Sequence, residues 1–343
     1  MVEAMANEVG QRKEFLSNNQ VRTIYFGGGT PSLLNAEQLE VLLAKARAVF
    51  DVDSLAEITL EANPDDITKE KVNDWKKLGI NRLSIGVQSF RQEDLTWMNR
   101  SHNAHQALQS VALVQAGGIS NISLDLIYAL PNLDDSDWLK NIRLAIQAGV
   151  QHVSCYCLTV EEKTKLSHLI KEGKNSKPDE DQSARQFGLL MDEMKLAGFE
   201  HYEISNFAKP SYKSQHNSNY WNGISYLGIG PSAHSFEGDM REWNISSNAA
   251  YIKGIMNEAP LREAEILTDS NKFNEMIMTK LRTAEGLNLD EVQRRFGLEK
   301  KEALIHKLER FKKTGLVQAS SLGFTLTIEG KYLADDISSS LFI

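Results

Sequence analysis

An α/β fold is predicted for this 343-residue chain: a partial (β/α) barrel followed by a small winged-helix-like α+β domain. Three features predict it. Short β-rich runs alternate with amphipathic helical runs over most of the sequence. Glycines and polar residues recur just after successive β-rich runs. From about residue 262 the pattern changes to two helices and a hairpin.

The elements read in order as follows. The opening MVEAMANEVGQRKEF carries acids and no apolar core, so it is an amphipathic helix and not a signal peptide. VRTIYF is a strand that ends in GGGTP, and Asn35 can cap the helix AEQLEVLLAKARAVF. AEITLEANP is a strand, and KEKVNDWKKLG is a helix closed by Gly79. NRLSIGVQSF is a strand, followed by helical RQEDLTWM and AHQALQSVALVQAGG. ISLDLIYALP, DSDWLKNIRLAIQAG, HVSCYCLTV and DEDQSARQFGLLMDEMKLAG repeat the alternation. Five or six βα units with right-handed crossovers make a parallel sheet that curves toward a barrel. In the last part, Asn288 and Glu291 start the helix LDEVQRRFG, KKEALIHKLERFKKTG forms a second, and LVQASSLGFTLTIEG forms the hairpin. The expected domains are residues 1–205, the barrel; 206–261, a connecting region; and 262–343, the winged-helix-like module.

Composition narrows the function. The chain is 41% hydrophobic and 24% charged, with a net charge of −8. That acidity argues against nucleic-acid binding. Winged-helix shapes often bind DNA, yet residues 261–343 carry 13 basic and 13 acidic side chains and no net charge. No apolar run approaches a membrane span. The expected location is the cytoplasm. The only cysteines, Cys155 and Cys157, are two residues apart on a strand. They are poorly placed for a disulfide and too few for a zinc or cluster site, so they read as strand packing.

The polar residues at the strand ends point to a ligand site. Gly27, Gly28, Gly29 and Thr30 follow the first strand, and Glu61 and Asn63 end the second. Gln88 and Ser89 end the third, Asp125 lies late in the fourth, and Tyr156 and Thr159 close the fifth. In a parallel barrel these ends converge on one face. Glycines let the backbone approach a ligand. Glu61 and Asp125 can accept from a diol or an ammonium, Gln88 can donate and accept, and Arg100 can pair with a carboxylate. The residues alone indicate a small polar ligand at the barrel mouth.

A family resemblance extends this. YFGGGTPSLL, LEANP, RLSIGVQSF, MNR and SLDLIYALP, in that order, resemble the core of radical-SAM proteins of the HemW heme-chaperone and coproporphyrinogen III oxidase group. The resemblance runs along nearly the whole chain and implies a barrel of the radical-SAM type. It assigns S-adenosylmethionine contacts to Gly28, Gly29, Thr30, Glu61, Gln88, Arg100 and Asp125. The string HNxxYW, here His216 to Trp221, resembles the HemW signature and implies a heme contact at His216. His234, in SAHSF, is a weaker second candidate. Family members also carry a CxxxCxxC loop that binds a four-iron cluster. No such loop occurs here, so the chain is expected to be truncated at its N-terminus relative to the family. Three functions follow from the resemblance: a heme chaperone that serves an acceptor protein, a radical enzyme that decarboxylates coproporphyrinogen III, or a non-catalytic fragment of either. HNxxYW favours the first.

Overall fold

The computed structural model describes residues 1–343. By spatial contact the chain groups into two compact units. One comprises Tyr25–Asn35 and Glu57–Ser214; the other comprises Met1–Ile24, Ala36–Ala56 and Gln215–Ile343. This division follows proximity in space and is not a sequential partition.

The main sheet holds β1 (Gln20–Phe26), β2 (Asp51–Ala62), β3 (Arg82–Gln88), β4 (Asn121–Tyr128), β5 (His152–Cys157), β6 (Glu200–Glu203) and β7 (Asn206–Ala208). Its order is β1-β2-β3-β4-β5-β7-β6. Strands β2 to β5 pair in parallel, as the βα alternation predicts. The hairpin β6–β7 then joins β5 antiparallel, so the parallel curl stops there as a half-barrel. The helices are α1 (Val2–Gln11), α2 (Ala36–Val49), α3 (Lys69–Lys77), α4 (Gln92–Trp97), α5 (Ala104–Ala116), α6 (Asp135–Gln147), α7 (Lys165–Lys171) and α8 (Glu180–Leu196). Their ends carry ordinary signals. Thr68 caps α3 and Gly79 follows it at φ +90°, while Asn103 and Gln106 form a capping box on α5.

Alternation along these strands decides what faces the barrel interior. One face of each strand is apolar and buried: Ile58 and Leu60 on β2, Leu83 and Ile85 on β3, Ile122, Leu124 and Leu126 on β4, Val153 and Cys155 on β5. The other face is polar: Glu57, Thr59 and Glu61 on β2; Arg82 and Ser84 on β3; Ser123 and Asp125 on β4; His152 and Ser154 on β5. The interior is therefore polar, in contrast to most parallel sheets, where both faces are apolar.

The second unit contains α9 (Gln215–Trp221), α10 (Asn248–Met256) and an antiparallel sheet of β8 (His234–Glu237), β9 (Met240–Asn244) and β10 (Arg262–Ile266), in the order β10-β9-β8. Residues 201–238 show little helical period, yet the stretch that holds His216 and Asn217 forms the short helix α9. The C-terminal module holds α11 (Asp269–Leu281), β11 (Leu287–Asn288), α12 (Leu289–Phe296), α13 (Leu298–Lys313), β12 (Val317–Ala319) and β13 (Gly323–Leu326). Its sheet order, β11-β13-β12, with a hairpin after the second and third helices, is winged-helix-like. Asn288 caps α12, as its position predicts.

Candidate functional site

A cleft lies at the C-terminal ends of β2, β3 and β4. It is lined by Gly29, Thr30, Pro31, Glu61, Ala62, Asn63, Ser84, Gly86, Gln88, Arg100 and Asp125. Its free space, open solvent at the mouth included, is about 480 Å³, and several polar groups converge on it, as in small-molecule sites. Seven residues read from the sequence meet here: Gly29, Thr30, Glu61, Asn63, Gln88, Arg100 and Asp125. Gly28 adjoins them in left-handed backbone at φ +94°, with no atom within 4 Å of where a Cβ would stand. The loop is thus bare backbone beside the cleft.

Each side chain is held from below. Tyr25 donates its hydroxyl to Glu61 Oε1 at 2.7 Å. A Cβ at Gly27 would stand 2.6 Å from the Tyr25 ring, so the first glycine is what lets that ring lie there. Arg100 Nη2 donates to Asn63 Oδ1 at 3.0 Å and to the Gly86 carbonyl at 3.2 Å. Gln88 sits after a register shift in β3 and has φ +68°. A left-handed non-glycine residue costs about 1–2 kcal/mol, and bulges of this kind re-aim a side chain.

The electrostatics come from paired acids. Asp125 is pushed up to about 6, first by burial and then by the negative charge of Glu61. Hydrogen bonds from Ser154 and Ser84 and the Arg82 charge pull the other way. Burial, and then Glu61, raise the Tyr25 phenol. Below the cleft, His152 is fully buried between Ser123 Oγ at 2.7 Å and the Tyr202 hydroxyl at 2.7 Å. Desolvation holds it well below the usual histidine range, so it stays neutral.

Other residues singled out from the sequence stand elsewhere. Ser89 is buried and donates to Asp94 Oδ2 at 2.7 Å, which builds the turn into α4. Tyr156 and Thr159 are exposed and do not line the cleft. Sequence reasoning misses Tyr25, Ser84, Gly86, Arg82 and His152. Their signal is the period-2 alternation that runs back along the strands from Glu61, Gln88 and Asp125.

His216 lies in the other unit, on α9. Its Nδ1 is 2.9 Å from Thr23 Oγ1 and its Nε2 is 3.2 Å from the Tyr220 hydroxyl, one helical turn on. An edge-to-face run continues from His216 to Tyr220 to Tyr226, with centroids 5.1 and 4.7 Å apart, and then tilts onto Phe236. Tyr220 is 41% exposed, so the run is open to solvent. Trp221 is not in this run and lies instead against the Arg282 guanidinium. His234 is exposed on β8 and stacks on Trp243.

Comparison with known proteins bears on both places. The model of the Radical SAM superfamily matches residues 4–145, and that of the HemN C-terminal domain matches residues 267–333. The heme chaperone HemW of Bacillus subtilis is 33% identical over 92% of this chain and 84% of its own length. The heme chaperone HemW of Mycobacterium tuberculosis is 34% identical over 94% of this chain and 80% of its own length. The chain belongs to the HemW family of radical-SAM proteins. Its fold is similar to that of Escherichia coli coproporphyrinogen III oxidase, HemN, with a TM-score of 0.83 over 99% of this chain and 82% of that one, at 21% identity. No helix of this HemW-family chain is long and apolar enough to cross a membrane.

The family implies S-adenosylmethionine and a four-iron cluster. The cleft fits the first: it offers open backbone at Gly28 and Gly29, two carboxylates and a fixed guanidinium. The cysteines do not fit the second. A cluster of this kind takes Cys thiolates. This chain has two, and Cys155 is buried with its thiol pushed well up by desolvation.

Proposed function

We propose that this HemW-family chain binds heme and passes it to an acceptor protein, with S-adenosylmethionine held in the barrel cleft. The observation that carries the heme reading is the His216–Tyr220–Tyr226 run, an imidazole beside solvent-facing aromatic rings. A neutral imidazole is a common axial ligand of heme iron, and aromatic rings cover porphyrin faces. The 33–34% identity to proteins named heme chaperones supports the same reading.

In the cleft, Glu61 and Asp125 accept hydrogen bonds from the ammonium and ribose hydroxyls of S-adenosylmethionine. Arg100, held by Asn63 and Gly86, pairs with its carboxylate, and the Gly28–Gly29 backbone approaches without side chains. S-Adenosylmethionine supplies radical chemistry only with a reduced cluster beside it, and this chain's residues do not hold one. We therefore assign no radical step to it. Thr30 ends the glycine loop and turns the chain into Pro31, which shapes the rim.

The test is a hemin titration of the chain and its His216→Ala variant, followed by the Soret band, with circular dichroism to check folding. Loss of binding in the variant supports the reading. Equal binding by two well-folded proteins returns HNxxYW to a packing role.

A further inference from the structure

We infer that Thr23 and Tyr220 divide the two nitrogens of the His216 ring between them, Thr23 as a positioning residue that accepts from Nδ1–H and fixes the ring's orientation, and Tyr220 as the donor that sets the tautomer and the removable cap on the nitrogen that iron takes. This rests on the reading of His216 as a heme ligand. Its first half concerns the heme-free protein and can be tested without heme.

The geometry is a three-member chain: Thr23 Oγ1, the two ring nitrogens of His216, and the Tyr220 hydroxyl, at 2.9 and 3.2 Å. A neutral imidazole has one N–H and one lone pair. The chain therefore has two consistent proton arrangements. In the first, Nδ1–H donates to Thr23 and Tyr220 donates to Nε2. In the second, Thr23 donates to Nδ1 and Nε2–H donates to the phenol. The first is favoured. A phenol, with pKa near 10, is a far stronger donor than an aliphatic hydroxyl, and its ring withdraws density from the oxygen and makes it the poorer acceptor. Thr23 therefore accepts, and the Nε2 lone pair points at Tyr220.

That arrangement is the one metal-ligating histidines use. Such a residue donates its second ring N–H to an outer partner, which fixes tautomer and orientation. Here the partner is Thr23 on β1, 193 positions before His216 and in the same compact unit. A helix of seven residues, with no buried side chain of its own, does not fix its histidine ring without help. Thr23 supplies that constraint from outside the helix. Tyr220 has the contrary effect. Its hydroxyl holds the lone pair that iron needs, so heme must displace it. Since Tyr220 is 41% exposed, the phenol can swing into water at the cost of its ring contacts with His216 and Tyr226. A capped nitrogen that can be uncapped suits a protein that must release its ligand as well as bind it.

The experiment has two arms. In the first, nitrogen-15 spectra of the heme-free chain report the His216 tautomer. Wild type is expected to be mainly Nδ1–H, Tyr220→Phe to lose that preference, and Thr23→Val to keep it with an Nδ1–H that exchanges faster with water, the protection returning in Thr23→Ser. In the second, hemin is titrated into each variant. Thr23→Val should weaken binding about tenfold or more, as loss of outer-shell partners does. Tyr220→Phe keeps the ring and removes the competing hydrogen bond, so binding should tighten about fivefold. An unchanged tautomer in Tyr220→Phe overturns the donor role of Tyr220, and an Nδ1–H that exchanges no faster in Thr23→Val overturns the role of Thr23. Weaker hemin binding by Tyr220→Phe overturns the cap. If His216→Ala binds hemin as wild type does, the heme reading falls and the cap with it, while the first arm still decides whether Tyr220 sets the tautomer and Thr23 holds Nδ1–H.

Discussion

Tyr25 donates its hydroxyl to Glu61 at 2.7 Å from the strand that ends in the glycine loop. Two segments of the cleft, the first strand and the second, are thereby tied through one oxygen. Glu61 keeps its other lone pairs for a ligand, while Tyr25 limits where the carboxylate can point.

Tyr25→Phe should thus weaken S-adenosylmethionine binding without emptying the cleft. A net hydrogen bond contributes about 0.5–1.5 kcal/mol, so calorimetry should read a loss of roughly fivefold. Unaltered affinity would show that Glu61 does not depend on Tyr25 for its placement.

Arg100 gives the larger effect. Its guanidinium is fixed by Asn63 and Gly86 before any ligand arrives. Removing it leaves a ligand carboxylate unpaired in a partly closed cleft. Arg100→Ala should cost about 2–5 kcal/mol of S-adenosylmethionine binding. Asn63→Ala, which only loosens the arginine, should cost less. Equal costs for the two would mean that Arg100 does not touch the carboxylate.

Much of this cleft was legible in the sequence, and the reason is geometric. Glu61, Gln88 and Asp125 stand toward the C-terminal ends of parallel strands, and Gly29 and Thr30 follow β1; such ends converge, and Arg100 joins them from the loop after α4. What escaped was the layer beneath. Tyr25, Ser84 and His152 sit inside strands, where a polar residue reads locally as a break in an apolar run. Only the pairing of neighbouring strands shows that these breaks line up on one face. In the same way the helical turn of α9 was hidden, because its polar residues make no apolar stripe. The seven-residue helix takes its place from contacts such as Thr23 to His216, which come from far along the chain.

Asp125 predicts a pH dependence. Its folded-state value of about 6 lies above the ordinary 3.8. The folded chain therefore holds a proton that the unfolded chain releases between those values. Stability from this group is present below about pH 4 and is lost as pH rises through about 6. Asp125 keeps one side open to solvent, so the amount is on the order of 1–2 kcal/mol. Asp125→Asn removes the penalty. The variant should gain stability relative to wild type as pH goes from 4 to 7, and denaturant midpoints at the two ends check it. A pH-independent difference would place the Asp125 proton elsewhere.

The cysteines make a prediction about iron. Anaerobic reconstitution of this chain should not yield about four irons per molecule, because two thiols on one strand cannot supply three spaced ligands. A full complement of iron, bound in proportion to protein and lost on chelation, would contradict this.

Glu8 makes the strongest stability prediction. It sits on α1, wholly buried, and accepts hydrogen bonds from the Tyr251 hydroxyl at 2.6 Å, Asn244 Nδ2 at 2.7 Å and the Gly230 backbone N–H at 2.9 Å. Arg262 Nη2 stands 3.3 Å away and supplies the countercharge. One carboxylate thus joins α1, the loop at Gly228–Pro231, β9, α10 and β10 within a single compact unit. Gly230 has φ +109°, so the loop cannot easily rebuild its backbone around a missing acceptor. In Glu8→Ala the donors remain buried and the arginine, which keeps its bond to Asn244 Oδ1, loses its countercharge. Breaking a buried charged pair in this way costs about 3–5 kcal/mol. Glu8→Gln keeps the shape but turns an acceptor oxygen into a donor NH₂, facing donors already in place, so it should recover only a small part of that cost. Chemical denaturation of the two variants measures the difference. A loss below about 1 kcal/mol in Glu8→Ala, less than one buried unsatisfied group normally costs, would mean that water replaces the carboxylate and that the network does not hold the loop.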